Sequence, residues 1–248
     1  MSDLAADWDS KAQDWHQQVG EYGDTNRRLH SDPLVWRWLG DVELKQVLDV
    51  GCGTGYFCRQ LVRKGARVTG VDISSEMIRL AGQRAAECEL GMALQVDDAA
   101  ELSTQPERHF DKLICNYVLM DMPDLDSAVF HFYRVLKPGG QAVVVITHPC
   151  FPLGLGEEHA PGQISFHWPF PYLEEKEIQE APWGHFKTPF HWYHRPLSRY
   201  WEAFHEAGFE IINFAEPCGQ IPGDDAESQS WNARARSRPN SAIFLLQR

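Results

Sequence analysis

The stretch QVLDVGCGTGYF, residues 46–57, runs from an apolar strand-like segment into glycines at alternate positions, Gly51, Gly53 and Gly55. Glycines so placed allow positive φ and let backbone approach a ligand closely, and such a loop after a strand commonly holds a nucleotide. The spacing narrows which one. A dinucleotide fingerprint, G-x-G-x-x-G, needs glycine where Tyr56 stands, and no lysine follows as a P-loop requires. The loop brings backbone to a ligand without the usual means of holding phosphate.

Working outward, strands are predicted at 46–50, 67–71, 92–96, 111–115 and 141–147, with helical stretches near 56–64, 75–88 and 125–136. In DLDSAVFHFYRVLKPGG, Leu125, Val129, Phe132, Tyr133 and Leu136 share one helical face, and Pro138-Gly139-Gly140 ends it. Strands alternating with helices imply a parallel sheet covered on both faces, with every strand-to-helix loop gathered at one edge. Carboxylates stand at those strand tips. Asp49 ends the first, and Asp72 ends the second, in RVTGVD, suited to two ribose hydroxyls. Asp97 and Asp98 end the third, suited to an adenine amino group, while the fourth reads FDKLICNYVLMDMPD and RVLKPGG precedes the fifth.

This ordered set resembles the class I S-adenosylmethionine-dependent methyltransferases, closely over about residues 45–148 and loosely to the C-terminus. The resemblance implies an α/β fold: a Rossmann-like, seven-stranded, mostly parallel sheet with helices on both faces. It also implies the cofactor, S-adenosyl-L-methionine, and its contacts. Asp49, Gly51, Cys52 and Gly53 would follow its methionine and ribose part, Asp72 its ribose hydroxyls, and Ile73 its adenine. Asp98 and the Ala99 backbone would face the adenine amine and ring, and Asn116 the methionine end. Turn or capping work is the plainer reading for Asp98 and Asn116 and is compatible with cofactor contact, and Asp49 could act on the cofactor's charge or serve a structural hydrogen bond. The physics agrees with the cofactor: it has no phosphate, and its sulfonium tolerates an acidic surround.

A single domain is expected, with an N-terminal helical segment at 1–40 and a cofactor-binding core at 45–147. Residues 148–196, rich in Pro, His and aromatics, read as a cap insertion folded over the sheet end on loops with one short helix. A helix from Leu197 and a closing antiparallel pair of strands at 209–214 and 241–247 complete 197–248.

The acceptor side rests on fewer signals. His148, following strand five in VVVITHPCF, is the candidate general base, against the plainer reading of a cleft-edge histidine bonded to backbone. Tyr22, Trp192, His194 and Arg195 are the candidate substrate contacts, the N-terminal segment with Tyr22, Asn26 and Arg27 could close over the cofactor, and the cap's rings suit an apolar or ring-stacking pocket. His191 and His194 could meet on one helical turn, but no further ligand spacing supports a metal, and none is expected. Asp121 reads as a loop or helix-start residue rather than a base.

Charge excludes other partners. With 23 Lys and Arg against 35 Asp and Glu, the net charge of −12 repels polyanions, so nucleic acid is discounted. Arg234, Arg236 and Arg238 read as a solvated loop face. The six cysteines show no CxxC spacing, no apolar run is long enough for a bilayer, and the acidic N-terminus has no signal pattern, so a cytoplasmic enzyme is expected. The expected partner is a small-molecule acceptor, with no nucleic acid and no membrane, and the expected state monomer or homodimer. The resulting reading is methyl transfer to an oxygen or nitrogen of a small molecule. Its rivals are a non-methylating S-adenosylmethionine-binding enzyme or sensor, and a nicotinamide-dependent oxidoreductase.

Overall fold

QVLDV forms β1 (Gln46–Val50), buried on both faces, which is why it reads as an almost unbroken apolar run. The computed structural model of the chain describes residues 2–151 and 155–248; cap residues 152–154 lie outside the described residues. Helix α1 (Ser2–Val19) leads through a short π-helical turn, Arg27–Ser31, into α2 (Asp32–Leu39). After β1 come α3 (Tyr56–Arg63), β2 (Arg67–Asp72), α4 (Ser75–Glu87), β3 (Ala93–Val96), β4 (Phe110–Asn116), α5 (Leu125–Val135) and β5 (Leu136–Thr147). The cap contributes β6 (Gly156–Ala160), β7 (Gln163–Phe166), β8 (Lys176–Glu180) and β9 (Phe190–His194). Helix α6 (Leu197–Glu206), β10 (Glu210–Ala215), α7 (Ala226–Ser237) and β11 (Ser241–Gln247) follow.

The main sheet runs β10-β11-β5-β4-β1-β2-β3. Strands β1 to β5 pair in parallel, and β11 pairs antiparallel with both β5 and β10, the closing arrangement expected. Strand alternation divides the core. Leu48, Val50, Leu113, Val144 and Ile146 face α5 and α6, whereas Val47, Ile114, Val143 and Val145 face α2 and α3. The chain order reverses between β1 and β4, and the crevice at that point, beside the carboxyl ends of the strands, is where open α/β sheets bind ligands.

Three sequence expectations need correction. Helix α5 stops at Val135, and strand pairing starts at once with Leu136 opposite Phe110, so KPGG lies within an irregular strand rather than after a helix end. The cap holds two β-hairpins, β6–β7 and β8–β9, instead of loops with a short helix. Its Pro and Gly residues hid the strands, since they punctuate both hairpins and loops. Arg234 and Arg236 belong to α7, not a loop; Arg234 pairs with Glu158 at 2.7 Å, and Arg238 stacks over Phe166.

Candidate active site

At the crevice the first glycine loop, the tips of β2 and β3, and the start of the β4–α5 loop enclose one cavity. Asp49, Gly51, Cys52, Gly53, Asp72, Ile73, Asp98, Ala99 and Asn116 all line it. Gly51, Gly53 and Gly55 adopt φ of 66°, 53° and 74°. Asp72 is fixed by two backbone donors: Gly53 N–H to Oδ2 at 2.8 Å and Ser74 N–H to Oδ1 at 2.9 Å. That leaves each oxygen further lone-pair capacity toward the cavity. Asp97 and Asp98 divide their work. Asp97 accepts from the backbone amides of Asp98, Ser103 and Thr104 and so knots the turn, whereas Asp98 accepts through Oδ1 from Ala100 N–H alone. Asn116 donates to Tyr56 Oη at 2.9 Å, and Tyr56 donates to Asp32.

The donor set fits S-adenosylmethionine. Thr54 Oγ1 and Asn116 Oδ1 are buried without a protein partner, and both residues line the cavity. Five aspartates (49, 72, 97, 98 and 121) face it against one cation, Arg27. This favours a ligand that carries positive charge and no phosphate.

Burial sets the protonation of these carboxylates. It pushes Asp49 up to about 7, helped by the charges of Asp72 and Asp32 and opposed by the Cys58 thiol. It pushes Asp72 up to about 6 against the two amides that hold it. Between the unfolded carboxylate pKa and these values the native state binds more protons than the unfolded chain. Their stabilising contribution is therefore complete below about pH 4 and is lost as pH rises through 6 to 7. A cation in the cavity restores it. We expect S-adenosylmethionine to bind roughly tenfold more tightly at about pH 8 than at about pH 5.5, as proton linkage of one group suffices to give. S-adenosylhomocysteine, which lacks the sulfonium, should show a shallower slope in the same calorimetric titration. Equal slopes would remove the carboxylates' electrostatic role.

A second cavity, of about 840 Å³, opens outward from the first. Trp8, Trp15, Arg27, Tyr117 and Asp121 line both. Its outer wall is Phe151, Glu180, Trp183, Phe190 and Trp192 from the cap and Asn26 from the N-terminal segment. Of the expected acceptor-side residues, Trp192 and His148 are here. His148 is buried, and both its ring nitrogens are engaged: Nε2 with Glu216 at 2.6 Å and Nδ1 accepting from Cys150 N–H at 3.2 Å. An amide at Nδ1 leaves the imidazole's proton on Nε2, directed at Glu216. Burial lowers its pKa, against the Glu216 charge. The pair ties the start of the cap to the segment after β10.

The other three lie outside both linings. Tyr22 is 63% exposed. His194 packs among Trp168, Phe170 and Tyr172, with Nε2 on the Tyr172 carbonyl. Arg195 is buried and donates to the carbonyls of Leu119, Met122 and Pro123, which commits its guanidinium to the β4–α5 loop. His191 and His194 do not meet. They lie on strand β9, where positions three apart face opposite sides; His191 is instead beside Glu177 at 3.4 Å. Among the described residues, no group of three His, Cys, Asp or Glu is placed to hold a metal.

Of the wall shared by the two cavities, sequence reasoning named Arg27 and Asp121 but missed Trp8, Trp15 and Tyr117. Trp8 and Trp15 stand seven apart on α1 and so share one face, a spacing that could have marked them. Asp9 anchors that helix by accepting from Ser74 Oγ at 2.6 Å and Glu76 N–H at 3.0 Å at the start of α4. Tyr117, at φ 61°, turns the chain sharply after β4, and its hydroxyl is shared with Ser241 and Asn26.

Known proteins agree with this geometry. Residues 47–140 match a family model described as a methyltransferase domain. The ubiquinone biosynthesis O-methyltransferase of Alkalilimnicola ehrlichii is 36% identical over 143 residues, 56% of this chain and 56% of that protein. The chain thus spans about half the length of the curated relatives it matches. An S-adenosylmethionine-dependent methyltransferase from Mesorhizobium loti superposes with a TM-score of 0.69 at 24% identity, over 87% of this chain and 96% of that one. The [4+2]-cyclase SpnF does so at 0.64 and 18% identity, over 99% and 94%. These two likenesses bear on fold alone. The glycine loop, the ordered strand-tip carboxylates and the match to a methyltransferase domain fall on the same residues, and the chain has the fold of the S-adenosylmethionine-dependent methyltransferases.

Proposed function

We propose that this protein transfers a methyl group from S-adenosylmethionine to an oxygen of a small molecule held in the outer cavity. One observation carries the reading: an acid-lined cavity suited to a phosphate-free cation opens, through a shared wall of five residues, into a ring-lined cavity of about 840 Å³. That volume is in the range of small-molecule sites. Oxygen is favoured over nitrogen by the curated relatives, which are named as O-methyltransferases. The excess of carboxylates supports a small acceptor over nucleic acid. In this reading the protein works in the cytoplasm, as a monomer or homodimer.

Bound S-adenosylmethionine supplies an electrophilic methyl carbon on a good leaving group. The protein's part is alignment and the exclusion of water. Asp72, Asp98 and the glycine loop would hold the nucleoside, and Asn116 Oδ1 and Thr54 Oγ1 would accept from the ammonium. Trp8 and Trp15 would close the cofactor side, while Trp192, Trp183 and Phe190 would hold the acceptor. His148, bonded to Glu216 and Cys150, would keep the cap in place rather than touch a proton.

The test is incubation with S-adenosylmethionine labelled on its methyl group and a host cell extract as acceptor pool, then separation into small molecules, proteins and nucleic acid. Label is expected in the small-molecule fraction. Label confined to the other fractions, or none despite cofactor binding, would overturn the reading; none would favour a sensor or a non-methylating use of the cofactor.

A further inference from the structure

We propose that Asp121 takes the proton from the methylated group, so that the acceptor presents a hydroxyl, on an aromatic ring, at the junction of the two cavities. The proposal rests on the methyl-transfer reading above. Five residues line both cavities, and an acceptor atom must sit among them to meet a methyl carbon arriving from the inner one. Their chemistry leaves one base. The indoles of Trp8 and Trp15 and the guanidinium of Arg27 cannot accept a proton. The Tyr117 hydroxyl is already shared between Ser241 and Asn26. Among the described residues, the Asp121 carboxylate has no hydrogen bond or ion pair; charges act on it only at a distance, Arg27 and Lys11 with one sign and Asp7 with the other. Its charge reaches two neutral groups, the Cys115 thiol and the Tyr200 phenol.

The loop that carries Asp121 is held rigidly. Arg195 donates to the carbonyls of Leu119, Met122 and Pro123, on both sides of it, at 3.0, 2.8 and 2.7 Å. Preorganisation of this kind is what positions a proton acceptor within reach of its partner. The ring lining explains the aromatic acceptor: Trp183 and Phe190 already stack at 5.3 Å and 16°, and Trp192 stands in the same wall.

The step balances. The acceptor oxygen's lone pair forms the bond to the methyl carbon, the sulfonium–methyl bond breaks with its pair left on sulfur as a thioether, and the hydroxyl proton passes to an Asp121 carboxylate oxygen. One positive and one negative charge disappear together. Burial also holds the Asp121 carboxyl up at about 8, against Arg27 and Lys11, which makes its ionised form a better match for a phenolic proton than an ordinary carboxylate.

The experiment compares wild type with Asp121→Asn and Asp121→Glu in the labelled-methyl assay on the small-molecule fraction of the extract. S-adenosylhomocysteine affinity is measured for each by calorimetry. The Asn variant should lose roughly 100-fold or more in rate, the usual contribution of a positioned base, while its affinity changes by less than about threefold. The wild-type rate should climb with pH to a plateau set by one ionisation, absent from the Asn variant, and Glu should restore part of the rate. An Asn variant with the wild-type rate and pH profile overturns the proposal while methyl transfer stands. Loss of rate and affinity together also overturns it, because Asp121 would then be a wall residue. No label from wild type removes the methyl-transfer reading, and this proposal with it.

Discussion

Gly51→Ala is expected to weaken S-adenosylhomocysteine binding by roughly tenfold or more while the sheet stays folded, a factor that corresponds to about 1.4 kcal/mol. Two costs add at that position. Its φ of 66° is strained for any residue with a Cβ, by roughly 1–2 kcal/mol. A Cβ there would also collide with one methyl of Val118 and crowd the other, and Gly51 and Val118 both line the inner cavity. Relief would have to come from Val118 moving into the space the cofactor needs. A double variant, Gly51→Ala with Val118→Ala, should recover the steric part of the loss and keep the backbone part. Calorimetry on the three variants separates them. Unchanged affinity in the single variant would show that the loop does not approach the ligand at this residue.

Arg195→Met should be the most damaging single change to stability, with a loss of roughly 3 kcal/mol or more in urea unfolding. The side chain is buried and donates to three carbonyls, which methionine would leave without partners. Arg195→Lys should rescue little. A single ammonium cannot reproduce a planar fork that reaches Leu119, Met122 and Pro123 at once. If the lysine variant matched wild type, the guanidinium's geometry would be irrelevant and only its charge would count. Because the same bonds fix the loop around Asp121, the two variants should also lose activity.

The lining of the inner cavity was legible because its residues are local to strand ends. A parallel sheet places every strand tip at one edge, so Asp49, Asp72, Asp98 and Asn116 could be brought together by counting strands. The acceptor side depends on contacts that no local pattern encodes. Asp121 gains its place from the company of Trp8 and Trp15 at the junction of the two cavities, and a lone aspartate in a turn carries no mark of that. Arg195 looked like a substrate ligand by residue type, yet the nearest acceptors were its own protein's carbonyls. The spacing of His191 and His194 was interpreted with the helical period, whereas β9 has period two and separates them. Helix α7 escaped notice because only Ser228 and Ala235 along it are buried, too few to draw an apolar stripe. The composition of the cap revealed its rings but not its hairpins.

Helix α1 has a consequence for the order of events. It is held on one side by Asp9 against α4 and on the other by the cap, where Trp8 meets Phe190, Trp15 meets Phe186, and the Asp14 carbonyl bonds His185. The same two tryptophans wall both cavities. Both ligands would rest on the same two side chains, so binding of the first is expected to order them for the second. Affinities should be coupled, with each ligand tightening the other by one common factor, as linkage demands. In the proposed reaction the same element should also govern release, since Trp8 and Trp15 wall both cavities.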